Sequence, residues 1–304
     1  VWTQLEEDLN IHIEYMDAVG DSTQALTWTV SGDNPADFYE IKTHTWFPIY
    51  AAGGLVALNS EEILSAGLDV NNEKLLYQPF THAWDINGDT YGVRYASKFL
   101  PPEAGWVMFF NKDLVKSVGV DDLYQVVRDG DWTWDYFLEL AGKLTKDNDG
   151  DGQNDIHGQT MVDIESELES NGIGLMYFNE ETNKWASGFA TPQLVEALEF
   201  VLTIATAPQY SLIEAPDNNY RRQVFYDGQA AFGCLYGGHY GKDGVNAMCE
   251  FDYGIVPIPK GPQAEKYSYV IPDLNVFVVQ TANKDWATSC AIMAKLAEQL
   301  TDKE

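Results

Sequence analysis

Asp147-Asn148-Asp149-Gly150-Asp151-Gly152-Gln153-Asn154-Asp155 sets four carboxylates at alternating positions around two glycines. Carboxylates packed that closely repel one another and raise each other's pKa values. A hard divalent cation relieves the repulsion. Calcium takes about six to eight oxygens, and the helix–loop–helix calcium loop supplies them from positions 1, 3, 5, a backbone carbonyl at 7, and 9, with glycine at 6. Asp147, Asp149, Asp151, the Gln153 carbonyl and Asp155 fill those slots, with Gly152 at position 6. The expected bidentate Glu at position 12 is replaced by Gly158, so a structural Ca2+ needs water or a remote acid, with Asp163, Glu165 and Glu167 nearest by sequence. Without metal the same run is a solvated Asp/Gly/Asn turn. The loop follows a helix entry at Trp132-Thr133-Trp134-Asp135, with Thr133 as N-cap and the helix over 134–144.

Elsewhere helix and strand signals alternate. An amphipathic helix over 2–9 precedes an alternating strand at 11–15, a helix at 22–30 and a short strand at 37–41. That order argues for a parallel α/β sheet. Helices are expected at 46–57 and 63–68, then a hairpin around Asn87-Gly88. An apolar strand at 105–110 leads into a helix at 111–118. Thr191-Pro192 opens a long helix to 204, and a capped segment over 218–228 precedes a strand at 230–236. A strand at 253–256 runs into Pro257, Pro259, Gly261 and Pro262, which reads as a stiff crossing between lobes. A strand at 275–280 and a helix at 284–300 close the chain.

With 304 residues, the chain is longer than one core usually grows, so two lobes are expected. Eighteen Lys and Arg face 47 Asp and Glu, a net charge of −29. Too few cations are present to cluster on phosphates, which excludes nucleic acid as a partner and disfavours anionic ligands and lipids. A neutral or cationic solute fits. No apolar run approaches the ~18 residues of a membrane span. The three cysteines, Cys234, Cys249 and Cys290, have no metal-ligand spacing. A Cys234–Cys249 bridge and three buried thiols both remain open.

Several segments, taken in order, resemble the family 1 extracellular solute-binding proteins of ABC transporters. They are Ser31-Gly32 through Pro35-Ala36-Asp37, Ala52 through Leu58, Gly88 through Val93, Phe110-Asn111-Lys112-Asp113-Leu114, Trp132 through Asp135, Phe225 through Phe232, and Tyr253 through Pro262. No single segment is decisive; their order and spacing along nearly the whole chain are. Similar members, especially from Gram-positive bacteria, carry an Asp/Gly-rich loop after the Trp-Thr-Trp helix. The resemblance implies an α/β, two-lobe periplasmic-binding-protein-like (type II) fold with hinged lobes. Residues 1–99 and 267–304 would form one lobe, and 100–266 the other. It also implies a monomeric receptor outside the cell, tethered by an N-terminal lipid anchor ahead of Val1, that hands a small-molecule carbohydrate to a membrane permease. Two departures stand out. By the resemblance, the family's first strand and its final helices, which lie mainly in the second lobe, are expected to have no counterpart within these 304 residues.

Ligands in open α/β sheets sit beyond the carboxyl ends of strands. The strand ending near Ile41 places Thr43, Thr45 and Trp46 at such an edge, where relatives touch ligand. Trp46 offers a ring face to a sugar, or packs under its own helix. In the other lobe Tyr236, His239 and Tyr240 occupy a position where relatives place ligand-contacting aromatics. Asp273 stands where many relatives have a glycine-rich turn, able to accept sugar hydroxyls or to cap a turn. Trp84 and Trp106 flank the first crossing. Nine tryptophans and seventeen tyrosines suit saccharide platforms, though aromatics also fill cores.

Against catalysis, the chain has no Gly-x-Ser-x-Gly elbow, His-Glu-x-x-His, phosphate loop or dinucleotide glycine pattern. His12, His44, His82, His157 and His239 show no ligand spacing. A glycosidase needs only two well-placed carboxylates, which sequence neither finds nor excludes. A calcium-dependent surface interaction domain is the third reading. The expectation is a receptor that binds a sugar or oligosaccharide between its lobes and releases it unchanged.

Overall fold

The computed structural model describes residues 2–16, 22–96, 105–179, 181–182, 184–241, 244–268, 270–271 and 275–301. The chain divides into two compact units, Val1–Glu103 with Pro272–Glu304, and Ala104–Ile271. The expected changeover at 99/100 lies outside the described residues, and the one expected at 266/267 falls at 271/272.

The first unit is built around a discontinuous ladder. Tyr39–Lys42 pairs antiparallel with Asn275–Val278, in the register Tyr39↔Val278 and Ile41↔Val276. Tyr39 and Ile41 are buried while Glu40 and Lys42 are exposed, the period of two expected of a half-covered strand. Val93 exchanges both backbone hydrogen bonds with Phe277, adding a bridge on the other edge. Helix Trp2–Leu9 buries Leu5 in a core shared with Cys290, Met293, Leu296 and Ala297 of helix Trp286–Thr301. Asn87 (φ 55°) and Gly88 (φ 89°) make the expected tight hairpin between Asp85–Ile86 and Asp89–Thr90.

The expected parallel sheet is corrected here. This ladder joins segments more than 230 residues apart, so no short helix crossover fixes their direction. The strand expected at 11–15 is irregular backbone. Glu6 accounts for it, since its Oε1 accepts the Ile13 N–H at 2.8 Å and lies 3.0 Å from His12 Nδ1, giving that backbone a side-chain partner in place of a neighbouring strand. The helix expected at 46–57 runs Thr43–Ala51, ending before Gly53 at φ 72°.

The second unit holds a four-stranded sheet in the order His157–Gln159, Ala230–Tyr236, Trp106–Asn111, Tyr253–Val256. Only its first pair is parallel. Ala230–Leu235 are all buried, so this strand reads as a continuous apolar run covered on both faces. Phe109, Phe137, Phe225, Phe232 and Trp132 form the centre of the core, each fully buried. Helix Trp134–Leu144 is capped by Thr133, whose side chain accepts the Tyr136 N–H, and Trp134 stacks on Phe200 at 4.4 Å and 5°.

The proline-rich stretch is not a crossing. It is stitched inside this unit: Trp132 Nε1 donates to the Pro257 carbonyl at 2.8 Å, Lys260 N–H to the Trp132 carbonyl, and Trp134 N–H to the Lys260 carbonyl. The Gly261 N–H donates to Ser170. Three elements have no strong sequence signal: helix Leu123–Asp129, helix Ile164–Glu169, and the hairpin Met176–Asn179 with Lys184–Ser187.

Helix Ile164–Glu169 carries a consequence for pH. Glu167 is fully buried and neither carboxylate oxygen meets a hydrogen-bond partner. Burial, reinforced by the Asp163 charge, pushes its carboxyl up to about 8 from 4.5. The folded protein therefore keeps a proton that the unfolded chain loses, and stability falls as pH rises from about 4.5 to about 8, at a slope of up to ~1.4 kcal/mol per pH unit. Urea unfolding at pH 5 and pH 8 should show this loss in the native chain and a shallower dependence in Glu167→Gln; equal slopes would contradict it.

Candidate ligand-binding site

In the first unit, strand Tyr39–Lys42 passes directly into helix Thr43–Ala51, with Lys42 still extended (φ −88°, ψ 160°) at the junction. Thr43 is the first residue of that helix. The one-turn spacing of Trp46 and Tyr50 puts them on one helix face. Their rings stack at 5.1 Å and 2°. Trp84 lies 4.9 Å from Trp46 and Tyr91 lies 4.9 Å from Tyr50. Trp46 Nε1 donates to the Tyr91 carbonyl at 3.1 Å, pinning the group to the hairpin.

This arrangement covers both tryptophans. Trp46 is 4% exposed and Trp84 5%. Trp46 meets Tyr50 and Trp84, while Gly92 packs against Trp84, so that a Cβ there would approach Trp84 Cγ to 3.5 Å. Thr45 is buried as well. The Trp84 Nε1 donor is buried without a partner. Phe47 is the outward ring of the group at 62% exposure, with Tyr50 and Tyr91 half-exposed. These three were not singled out from sequence, although the close spacing of Trp46, Phe47 and Tyr50 signals an aromatic helix face.

In the second unit, Trp106 and Tyr236 are cross-strand partners at one end of the sheet. Their rings sit 6.1 Å apart at 67°, and His239 lies edge-on to Tyr236 at 6.3 Å. The short turn Gly237–Tyr240 folds closely over Tyr236: a Cβ on Gly238 would lie 2.9 Å from that ring and displace it. Burial, then the nearby Arg222 charge, lowers the His239 pKa. The imidazole is thus neutral at neutral pH, with Nδ1 buried and unpartnered. Tyr240 departs from this group. It is 50% exposed and packs at 6.4 Å on Tyr253, whose register partner is Asn111 at the far end of Trp106–Asn111. Asp273 lies outside the described residues.

The acidic loop is ordered by its own backbone. Asp147 accepts the Gly150 and Gly152 N–H groups at 2.7 and 2.9 Å, and those bonds, Gly152 first, hold its carboxyl below the usual range. Gly150 and Gly152 both take positive φ. Asp149 and Asp151 each accept an N–H two residues on. Asp147, Asp149 and Asp151 each bring one oxygen within 4.8 Å of the others, a donor set of the hard oxygens that calcium prefers. Asp155 is outside that radius and accepts the Asn148 N–H at 2.7 Å, and Gln153 donates its N–H to Asp151. Position 158 has no room for a side chain, since a Cβ there would collide with the Tyr210 carbonyl and Ala141. Asp163 caps helix Ile164–Glu169, Glu167 is buried, and neither these nor Glu165 joins the cluster.

Residues 1–285 match the family described as bacterial extracellular solute-binding protein. The chain belongs to that family. Solved structures agree on the fold. UspC from Mycobacterium tuberculosis superposes with a TM-score of 0.70 at 17% identity, over 99% of this chain and 74% of that one. UgpB from the same organism, in complex with glycerophosphocholine, gives 0.66 at 16%, over 98% and 69%. The GacH receptor of Streptomyces glaucescens, known with acarbose, gives 0.63 at 16%, over 99% and 73%. No curated protein matches the sequence. The solute-binding protein therefore has the two-lobe α/β periplasmic-binding-protein-like fold. Among its described residues no helix is long and apolar enough to cross a membrane.

The burial pattern separates scaffold from surface in this binding protein. Trp46→Ala should lower stability by about 3–5 kcal/mol, as a large ring leaving a packed cluster does. Phe47→Ala should change it by less than ~0.5 kcal/mol. Urea titration of both variants checks this, and equal losses would contradict the assignment.

Proposed function

We propose that this solute-binding protein is the receptor of an ABC importer, that its solute is a sugar or oligosaccharide, and that it releases the solute unaltered to a membrane permease. The observation that carries this reading is the match of residues 1–285 to an extracellular solute-binding family. Three further points support it. The GacH receptor, a structural neighbour, is known with the saccharide acarbose. Each unit presents aromatic rings beside a strand end: Phe47, Tyr50 and Tyr91 in one, backed by the buried Trp46 and Trp84, and Trp106, Tyr236 and His239 in the other. Aromatic faces suit the C–H faces of pyranose rings, and His239 and Tyr236 add hydrogen-bonding groups for hydroxyls. The net charge of −29 is compatible with a neutral solute. In this reading the protein works as a monomer on the outer face of a Gram-positive cell, held by an N-terminal lipid anchor.

The Asp147 loop binds structural calcium in the same reading, with Asp147, Asp149 and Asp151 as ligands, and Asp155, the Gln153 carbonyl and water completing the shell. The ion would neutralise carboxylates that otherwise repel, and so fasten the end of helix Trp134–Leu144 to strand His157–Gln159.

A thermal-shift screen against mono- and oligosaccharides, with and without calcium, tests both parts. Some saccharide should raise the unfolding temperature saturably and be recovered unchanged by chromatography; a converted product, or no response across the panel, overturns the receptor reading. Calcium should raise the unfolding temperature of the native chain and not of Asp147→Asn/Asp151→Asn; an equal rise in both removes the metal assignment.

A further inference from the structure

Beyond the edge strand His157–Gln159 the second unit has a half-open cavity of about 230 Å3, with Ile164, Ala205 and Asn218 exposed at its rim. None of Trp106, Tyr236, His239 or Tyr240 lines it. It opens between residues 160–164, the end of helix Pro192–Thr206, residues 211–212 and the start of helix Asn218–Tyr226. Its walls are apolar: Met161, Val162, Ile164, Ile204 and Leu212.

The polar side chains in the lining are Thr160, Ser211, Asn218 and Arg221, each able to donate a hydrogen bond. Thr160 is 1% exposed, and its Oγ1 is buried with no partner. Ser211 Oγ accepts from Gln159 Nε2 at 3.1 Å, which leaves its own O–H to donate. Arg221 donates from Nη1 to the Thr160 and Leu212 carbonyls and from Nη2 to the Ile213 carbonyl. Those neutral groups fix the guanidinium without cancelling its charge, and no carboxylate among the described residues pairs with it. Nor does any Asp or Glu line the cavity, in a chain with 47 of them. Asp217, next to Asn218 in sequence, is occupied capping its own helix, where it accepts the Tyr220 N–H at 2.8 Å.

We propose that this cavity binds a small amphipathic monocarboxylate, its head toward Thr160, Ser211 and Arg221 and its hydrocarbon body along Ile164, Ile204 and Leu212. A carboxylate is acceptor-only and can take hydrogen bonds from Thr160, Ser211 and Arg221, and Arg221 supplies at this point the cation that a chain of net charge −29 lacks overall. A sugar suits it poorly, because hydroxyls facing Met161 and Ile204 would be buried without partners. The volume equals roughly eight waters at ~30 Å3 each, which matches a six-carbon acid. The site lies within one unit, and its existence does not depend on what the aromatic groups bind.

Calorimetric titration of hexanoate into the intact chain tests the proposal. Saturable one-to-one binding is expected, with hexan-1-ol, which lacks the charge, and acetate, which lacks the body, each weaker by about tenfold or more, as loss of a charge-assisted hydrogen bond or of buried apolar area requires. Thr160→Val keeps the shape and removes the orphan donor. Ala205→Leu, at an exposed lining position on the helix, narrows the cavity with little demand on folding. Both should weaken hexanoate about tenfold while leaving saccharide titrations unchanged. Absence of saturable heat, equal binding of hexan-1-ol, or native affinity in Ala205→Leu would overturn it.

Discussion

The ladder between Tyr39–Lys42 and Asn275–Val278 is the constraint on which the rest of the structure depends. Because a late strand completes an early one, the chain must leave the first unit, build the whole of the second, and return. The return is driven by burial: Val276 and Val278 are at most 1% exposed, on the face they share with their register partners Ile41 and Tyr39. A half-covered strand specifies its register, because a one-residue slip would turn Glu40 and Lys42 inward. That register also determines where helix Thr43–Ala51 begins, and so where the aromatic group around Trp46 stands.

In the second unit the equivalent role falls to Trp132. Its indole fills the core and its Nε1 reaches the Pro257 carbonyl, 125 residues on in sequence. The last strand and the prolines after it are thereby fixed against the helix that starts at Trp134. Close backbone approach does the rest. A Cβ on Gly254 would collide with the Phe110 ring and the Tyr124 hydroxyl, so the edge strand packs there only as glycine. Such interiors tolerate polar groups only at a cost, which is why the buried, unpartnered Glu167 carboxyl stays protonated.

Much of this was legible from sequence where the cause is local. The Thr133 and Thr191 caps, the Asn87-Gly88 turn and the apolar strands expected at 105–110, found one residue later at Trp106–Asn111, and at 230–236 depend on neighbours a few residues away. Strand direction was not, because Tyr39–Lys42 meets a partner from the other end of the chain. Pro257 to Pro262 look like a linker by composition, yet what decides their place is the tryptophan that binds them. The candidate site was half legible for a similar reason. Trp106, Tyr236 and His239 do converge, whereas the fate of Trp46 turned on Tyr50, Trp84 and Tyr91 closing over it. A ring's burial depends on tertiary neighbours, and no spacing rule within one helix reports them.

As a transport receptor, the protein would hold a neutral carbohydrate without acting on it. Isothermal titration of the best saccharide from a panel, followed by chromatographic recovery of the bound sugar, tests it most directly. The account predicts a single saturable site and an unmodified sugar after prolonged incubation. A new saccharide product, or heat that never saturates for any member of the panel, would contradict it.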